Sequence, residues 1–459
     1  MPKPFPPIGS LMLGTALLLL GNGLLSTLIA LRGTHEGFSD QLLGLMGSAY
    51  FVGFLLGTRS VPLMIRRIGH IRAFAFFASV IAAATLLHSL IVNVPVWLVL
   101  RLLTGVALVG FYTVIESWLN SRSKPEQRSQ IFAIYMVVNM SALAVAQQLL
   151  LLAPAEAFTL FSLSAMLVCL SVLPLTSTRQ PQPEVPSVQR LTLSRIWRIA
   201  PAATVAAVAS GLSIGTFWSM GPLYAARLGL DASGIATLMT ATIIGGAALQ
   251  LPLGRLSDRL DRRQVLALAA AGAAIGALAM AFAGDHPGWL PAACFVFGGM
   301  AFALYPITVA HVVDRLAHEE ILAGNAAVLL LHGLGAIAGP ALGGVLMASG
   351  GALALPLYFA VILTALAGFV VFETRQHRVD IVMEDSASFV PMVRTAETAL
   401  GIAAAVEEHR LETEGHIEAT ESTQADENLS PDESEAPEAF DESDESEETD
   451  VPRRSETGA

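Results

Sequence analysis

Charged side chains are scarce along this chain: Asp, Glu, Lys and Arg make up 14% of 459 residues, against 54% hydrophobic, and mean hydropathy is +0.61. A soluble domain of this size cannot hide so much apolar surface, because surface grows almost as fast as volume. Lipid lifts that limit, so a membrane protein is the expected class. Cysteine is scarce as well. Cys169 and Cys294 each stand alone in an apolar stretch, too few for a metal site and too isolated for a disulfide framework. The sequence also lacks a nucleotide-binding P-loop, a metal-ligand cluster and a nucleophile–base set; His88, His311 and His332 occur singly. No cofactor, no direct use of ATP and no enzymatic activity are expected.

What charge there is falls into two parts. Residues 1–379 hold 22 Lys and Arg against 14 Asp and Glu, whereas residues 380–459 hold 4 against 24. The net charge of −12 thus describes a mildly basic body with a strongly acidic tail. It gives no reason to expect nucleic acid as a partner. The tail is rich in Asp, Glu and Ser and poor in aromatics, the composition of a disordered segment.

About 20 apolar residues cross the hydrocarbon core of a bilayer. Stretches of that kind fall near 8–31, 41–64, 72–93, 95–118, 130–152, 157–175, 199–222, 233–254, 264–283, 289–312, 321–348 and 353–373. Twelve helical spans are predicted, each closing its own backbone hydrogen bonds in lipid. The eleventh is long enough to tilt, or to kink at Pro340. The first, Ile8–Leu31, exceeds a signal-peptide core and reads as a retained helix. With the N-terminus inside, 18 loop Lys and Arg lie on the cytoplasmic side, against Arg32 and Arg227 outside. That is the positive-inside pattern, and it puts both termini in the cytoplasm of a bacterial inner (plasma) membrane.

Thr176–Arg198 is rich in Pro, Gln, Ser and Arg and divides the spans six and six. It reads as a cytoplasmic linker (176–198) between bundles over 1–175 and 199–375, with the tail from 376. The halves echo each other at an offset of 192–193: Arg67 and Gly69 match Arg259 and Asp261, while Gly105, Tyr112 and Arg122 match Gly298, Tyr305 and Arg315. A duplication of this kind marks two parallel repeats that rock against each other.

After the eighth span the chain reads Gly254-Arg-Leu-Ser-Asp258-Arg259-Leu-Asp261-Arg262-Arg263. This resembles the cytoplasmic loop signature of the major facilitator superfamily, G-x-x-x-D-R-x-G-R-R, with Asp261 in place of the second Gly. A degraded copy, Pro62 to His70, follows the second span, and Arg101-x-x-x-Gly105 resembles the family's buried-arginine motif. The stretches Arg67-Ile-Gly69-His70-Ile-Arg72 and Tyr112-x-x-x-Glu116-Ser-Trp118-Leu-Asn120 resemble the bacterial YcaD-like group. The resemblance implies an all-α membrane fold of twelve helices in two six-helix bundles, with spans 1, 4, 7 and 10 around a central cavity. It implies that Asn22, Arg101, Tyr112, Trp218, Tyr305 and His332 lie near a substrate.

The residues carry their own signals. Arg101 is an ionisable group within a span, costly unless it meets water or a partner, and helical spacing sets Arg101, Gly105 and Tyr112 on one face. Glu116, close to the same stripe, could carry a proton or could pair with Arg67 or Arg128 as a gate, and Arg101 and Glu116 together motivate the expectation of proton coupling. Asn139 and Gln147 share a face of the fifth span, as do Asn325, His332 and Gly339 on the eleventh; these polar groups serve either a solute or interhelical bonding. Arg67, Arg128, Asp258, Arg259, Arg262 and Arg263 sit in cytoplasmic loops, where they either latch one conformational state or anchor topology. Gly339-Pro340 reads as a close-packing element. The function expected is a monomeric, proton-coupled secondary transporter of a small organic solute. The alternative is a non-transporting membrane sensor that signals through the acidic tail.

Overall fold

The computed structural model describes residues 7–122, 128–177, 192–283, 287–317 and 320–376. The chain divides into two compact units, Met1–Arg410 and Leu411–Ala459, and every described residue belongs to the first. The tail, and with it the expectation of disorder, lies outside the described residues.

The described chain is helical: α1 (Pro7–His35), α2 (Asp40–Ile68), α3 (His70–Leu90), α4 (Val94–Arg122), α5 (Arg128–Gln148), α6 (Phe158–Leu170), α7 (Val172–Thr176), α8 (Leu193–Ile199), α9 (Pro201–Arg227), α10 (Ala232–Arg259), α11 (Arg262–Phe282), α12 (Leu290–Val313), α13 (Ile321–Gly350) and α14 (Ala354–Gln376). They make 12 stretches long and apolar enough to cross a membrane, α6 and α7 together forming the sixth. Each predicted span is found. Several run further, α2 to Ile68 and α9 to Arg227. The helical ladder does not end where the hydrocarbon does, and 29 residues rise about 44 Å against a core of about 30 Å.

Successive crossings alternate in direction, so the described ends, Pro7 and Gln376, lie on one face with the Arg66–Arg67 and Arg259–Arg263 turns. We call this the arginine face and its opposite the far face. Caps mark the turns at the far face: Ser39 accepts from the Leu42 N–H at 3.4 Å and Asp231 from the Gly234 N–H at 2.8 Å, satisfying donors that a helix start leaves open.

The internal repeat is visible as packing. A side chain at Gly53 would strike the backbone of Leu102, and one at Gly105 that of Tyr50; in the second half Gly245 meets Phe295 and Gly298 meets Thr242 in the same way. The α2–α4 crossing and the α10–α12 crossing are thus one design used twice at the expected offset. Small residues let the backbones approach, as in other membrane bundles.

Between the two bundles, polar contacts gather toward the far face. Arg227 on α9 donates to Asp40 at the start of α2, 2.5 Å apart. Gln148 at the end of α5 donates to the Thr240 hydroxyl on α10 at 2.7 Å, and Thr240 donates to the Ala144 carbonyl at 3.3 Å. α2 also lies against α13, where Gly44 faces the Pro340 carbonyl and Gly344 faces Asp40. α13 runs unbroken through Pro340. Proline removes one N–H from the ladder, and the Ser48 hydroxyl enters beside it, donating to the Ile337 carbonyl at 2.6 Å and accepting from the Ala341 N–H at 3.1 Å. A hydroxyl from the other bundle thereby mends the helix, a known way of tolerating proline in lipid.

Candidate functional site

A small cavity of about 20 Å³ lies between the bundles in the half nearer the far face, its walls including Ser26, Met46, Tyr50, Arg101, Trp218 and Ser219. Both halves of the chain contribute. Arg101 is 5% exposed. Its Nη2 donates to Thr104 at 3.1 Å, and its guanidinium carbon sits 5.3 Å from the centre of the Tyr50 ring, a cation–π distance. Thr104 in turn donates to the Leu100 and Arg101 carbonyls at 2.9 and 2.8 Å. The guanidinium is therefore braced from two sides. Trp218 is held by a stacked Phe302 ring at 5.9 Å.

A second polar group lies within the first bundle, nearer the arginine face. Glu116 is fully buried, and the Tyr135 hydroxyl donates to its Oε1 in a long bond of 3.4 Å. Asn139 donates to the Tyr135 carbonyl at 2.7 Å, and Tyr112 acts electrostatically on Tyr135. Arg67 is exposed; the Arg128 side chain, the other partner expected for Glu116, lies outside the described residues. A third group lies in the second bundle, where the Tyr305 and His332 rings meet edge to face at 4.7 Å. His332 Nδ1 and both amide atoms of Asn325 are buried with no hydrogen-bond partner among the described residues.

The eight solute-site candidates thus divide. Arg101 and Trp218 share the cavity; Tyr112 and Asn139 gather around Glu116; Tyr305 and His332 form their own pair. Gln147 bonds between helices, accepting from the Thr27 hydroxyl at 2.6 Å. Asn22 is buried on α1 and is not among the residues lining the cavity. Tyr50 and Ser219, which the sequence did not single out, line it.

At the arginine face the second-half loop is knitted into its own bundle. Arg262 bonds Asp314 through Nε at 2.5 Å, Asp258 at 3.4 Å and the Ser257 hydroxyl at 3.3 Å. Arg263 meets Asp261 at 3.1 Å and Glu373 at 3.6 Å. Arg315 donates to His311 Nδ1 at 2.9 Å; burial and the nearby Arg263 pull its pKa below the ordinary guanidinium value, against Asp314, Asp261 and Glu373. Arg259 ends α10 exposed to solvent. In this conformation the buried loop cations brace α10, α11, α12 and α14.

The sequence matches the family model of the Major Facilitator Superfamily over residues 11–201 and 203–394. The chain belongs to that superfamily. It is 28% identical over 343 residues to the uncharacterized MFS-type transporter YcaD of Escherichia fergusonii, covering 74% of this chain and 89% of that one, and 29% identical to YcaD of Shigella flexneri serotype 5b with the same coverage. Solved structures share the fold: the nucleoside transporter NupG (TM-score 0.67, 14% identity, 82% of this chain and 100% of that one) and the human organic anion transporter MFSD10 (0.56, 15%, 81% and 100%). The major facilitator fold expected from the loop motif is therefore the fold found. Membership makes this a membrane transporter family protein whose ligand is a small molecule.

Proposed function

We propose that the protein is a proton-coupled secondary transporter that moves a small organic solute by alternating access, as a monomer in a bacterial inner membrane with both termini in the cytoplasm. The bodies that rock are residues 1–175 and 199–375, joined by 176–198. The supporting observation is the asymmetry of the interface: a cavity walled by both bundles, with the cross-bundle bonds of Ser48 and Thr240 level with it and the Asp40–Arg227 pair beyond it at the far face. On the positive-inside reading that closed face is outside, and the conformation is inward-facing. Access from outside requires the Asp40–Arg227 pair and the Ser48 bonds to break, while the bundles close at the arginine face. There Arg67, Arg128, Asp258 and Arg259 serve the closed gate, and Arg262 and Arg263 keep the second bundle rigid.

Glu116 is the proton carrier in this reading. It is buried among groups of one bundle, and a change of one charge is large in energy where water is excluded. Vesicles holding the reconstituted protein and the pH dye pyranine test this. A solute found by screening metabolite mixtures changes the internal pH as it crosses, and Glu116→Gln uncouples the two. Solute uptake at one rate, whatever pH gradient is imposed, contradicts proton coupling.

A further inference from the structure

We infer that the corner of the arginine face where the short helix α8 meets α14 binds an anionic phospholipid. Its headgroup lies on Arg198 and Arg375 and its acyl chains run along α14. Neither the solute nor the coupling ion enters into this. α8 is tied to the second bundle in three ways. Arg195 donates through Nη2 to both oxygens of Glu320 at the start of α13, 2.6 and 2.9 Å away. Ile196 is buried in the cluster that holds Tyr305, Val309 and Val328. The Trp197 ring lies 6.5 Å from the Phe369 ring of α14. Helical steps of four then put Leu193 and Trp197 on one side of α8, and Ser194 and Arg198 on another. Leu193 and Trp197 remain 38% and 48% exposed, large apolar groups with room for a partner.

α14 carries a matching strip. Val361, Phe372 and Arg375 fall within about 60° around its axis, and Val361 and Phe372 are 69% and 59% exposed. On a membrane span such a surface faces acyl chains. Arg375 ends the strip at the arginine face, about 9 Å beyond Phe369 along the axis. Trp197, beside Phe369, thus sits at the level where tryptophans mark the boundary between hydrocarbon and headgroups. The charge at this corner is cationic. Arg198 and Arg375 are exposed and form no ion pair among the described residues. Arg198 Nε reaches only as far as the Ser194 carbonyl, at 3.4 Å. The acids close by already face other cations: Glu320 pairs with Arg195, and Glu373 lies 3.6 Å from Arg263. Guanidinium groups hold phosphate oxygens through paired N–H donors, and their long stems let the charge reach the headgroups. A phospholipid satisfies both halves of this surface, whereas a soluble phosphate satisfies one.

The test uses the full-length chain in phosphatidylcholine vesicles, to which brominated phosphatidylglycerol or brominated phosphatidylcholine is added at equal mole fraction. Bromine on the acyl chains quenches the tryptophans that the lipid touches. Trp97, Trp118 and Trp218 are buried, while Trp289 is 74% exposed near the far face, so quenching of the unaltered chain reports Trp197 and Trp289. Trp197→Phe and Trp289→Phe separate the two. We expect phosphatidylglycerol to bind at Trp197 about tenfold or more tightly than phosphatidylcholine, and Trp289 to be quenched equally by both. An arginine near a charged bilayer surface contributes about fivefold. Arg198→Gln and Arg375→Gln therefore each lower the preference by that factor, and together they abolish it. Arg255→Gln, at an exposed arginine of α10, leaves it unchanged, and glycerol phosphate in the medium does not displace the lipid. Equal quenching of Trp197 by the two lipids overturns the inference. So does a preference that survives loss of both arginines, one that Arg255→Gln removes as well, or displacement by glycerol phosphate. The comparison of the two lipids on the unaltered chain needs no variant to fold.

Discussion

Gly69 and Asp261 occupy the same place in the two repeats, and the sequence marks the second as a departure from the family's glycine. The backbone gives the reason. Gly69 adopts φ 83° and ψ 163° between α2 and α3, a region nearly closed to side chains, whereas Asp261 has φ −54° and needs no glycine. Its carboxylate caps α11, accepting from the Arg263 N–H at 2.8 Å, and also holds the Arg263 guanidinium. We predict that Gly69→Ala costs about 1–3 kcal/mol through backbone strain. Asp261→Ala costs about 0.5–2 kcal/mol through the lost cap, with a further loss from weakened pairing of Arg263, and Asp261→Asn recovers the cap alone. Thermal melts of the purified variants check the order; equal stability of Asp261→Ala and Asp261→Asn contradicts the capping role. Tyr50 marks the limit at this scale. An aromatic residue on an apolar helix carries no polarity signal, so its place beneath Arg101 was hidden, whereas Arg101 itself stood out because a charge within a span needs a reason.

Among the helices, what the sequence disclosed followed from local regularities. Hydropathy over one crossing located twelve spans, and the shared offset of Gly105 and Gly298 anticipated two equivalent helix crossings. The phase of each helix was harder to read. Polar residues such as Gln147 and Trp218 sit on surfaces apolar almost all round, and only the packing separates an interhelical bond to Thr27 from a wall of the cavity. The mending of α13 by Ser48 belongs to the same class, because its donor and acceptor are almost 300 residues away in the chain. Ser48→Ala leaves Ile337 and Ala341 to bond each other across the Pro340 site and removes a tie between the bundles. Losing one such bond is worth about 0.6–1 kcal/mol, so amide exchange in the α13 segment around Ala341 should rise roughly three- to fivefold. Unchanged exchange there contradicts a bridging role for the hydroxyl.

At the scale of the whole molecule, two similar bodies flank a small cavity and are tied together toward the far face by Asp40–Arg227, Ser48 and Gln148–Thr240. The duplicated plan was legible because repeats copy motifs at a fixed offset; the conformational state was not, since both states use one sequence. Their free energies must lie close for a transporter to cycle, and a ligand shifts the balance only by its differential affinity. Pulsed electron resonance distances on the reconstituted chain measure this directly, with one spin-label pair at the exposed far-face positions Gln41 and Leu353 and another at Arg72 and Leu260 on the arginine face. Alternating access predicts that a transported solute or an imposed pH gradient changes the two distances in opposite senses, one lengthening as the other shortens. Solute crossing while both distances stay fixed, or while both move together, would contradict it.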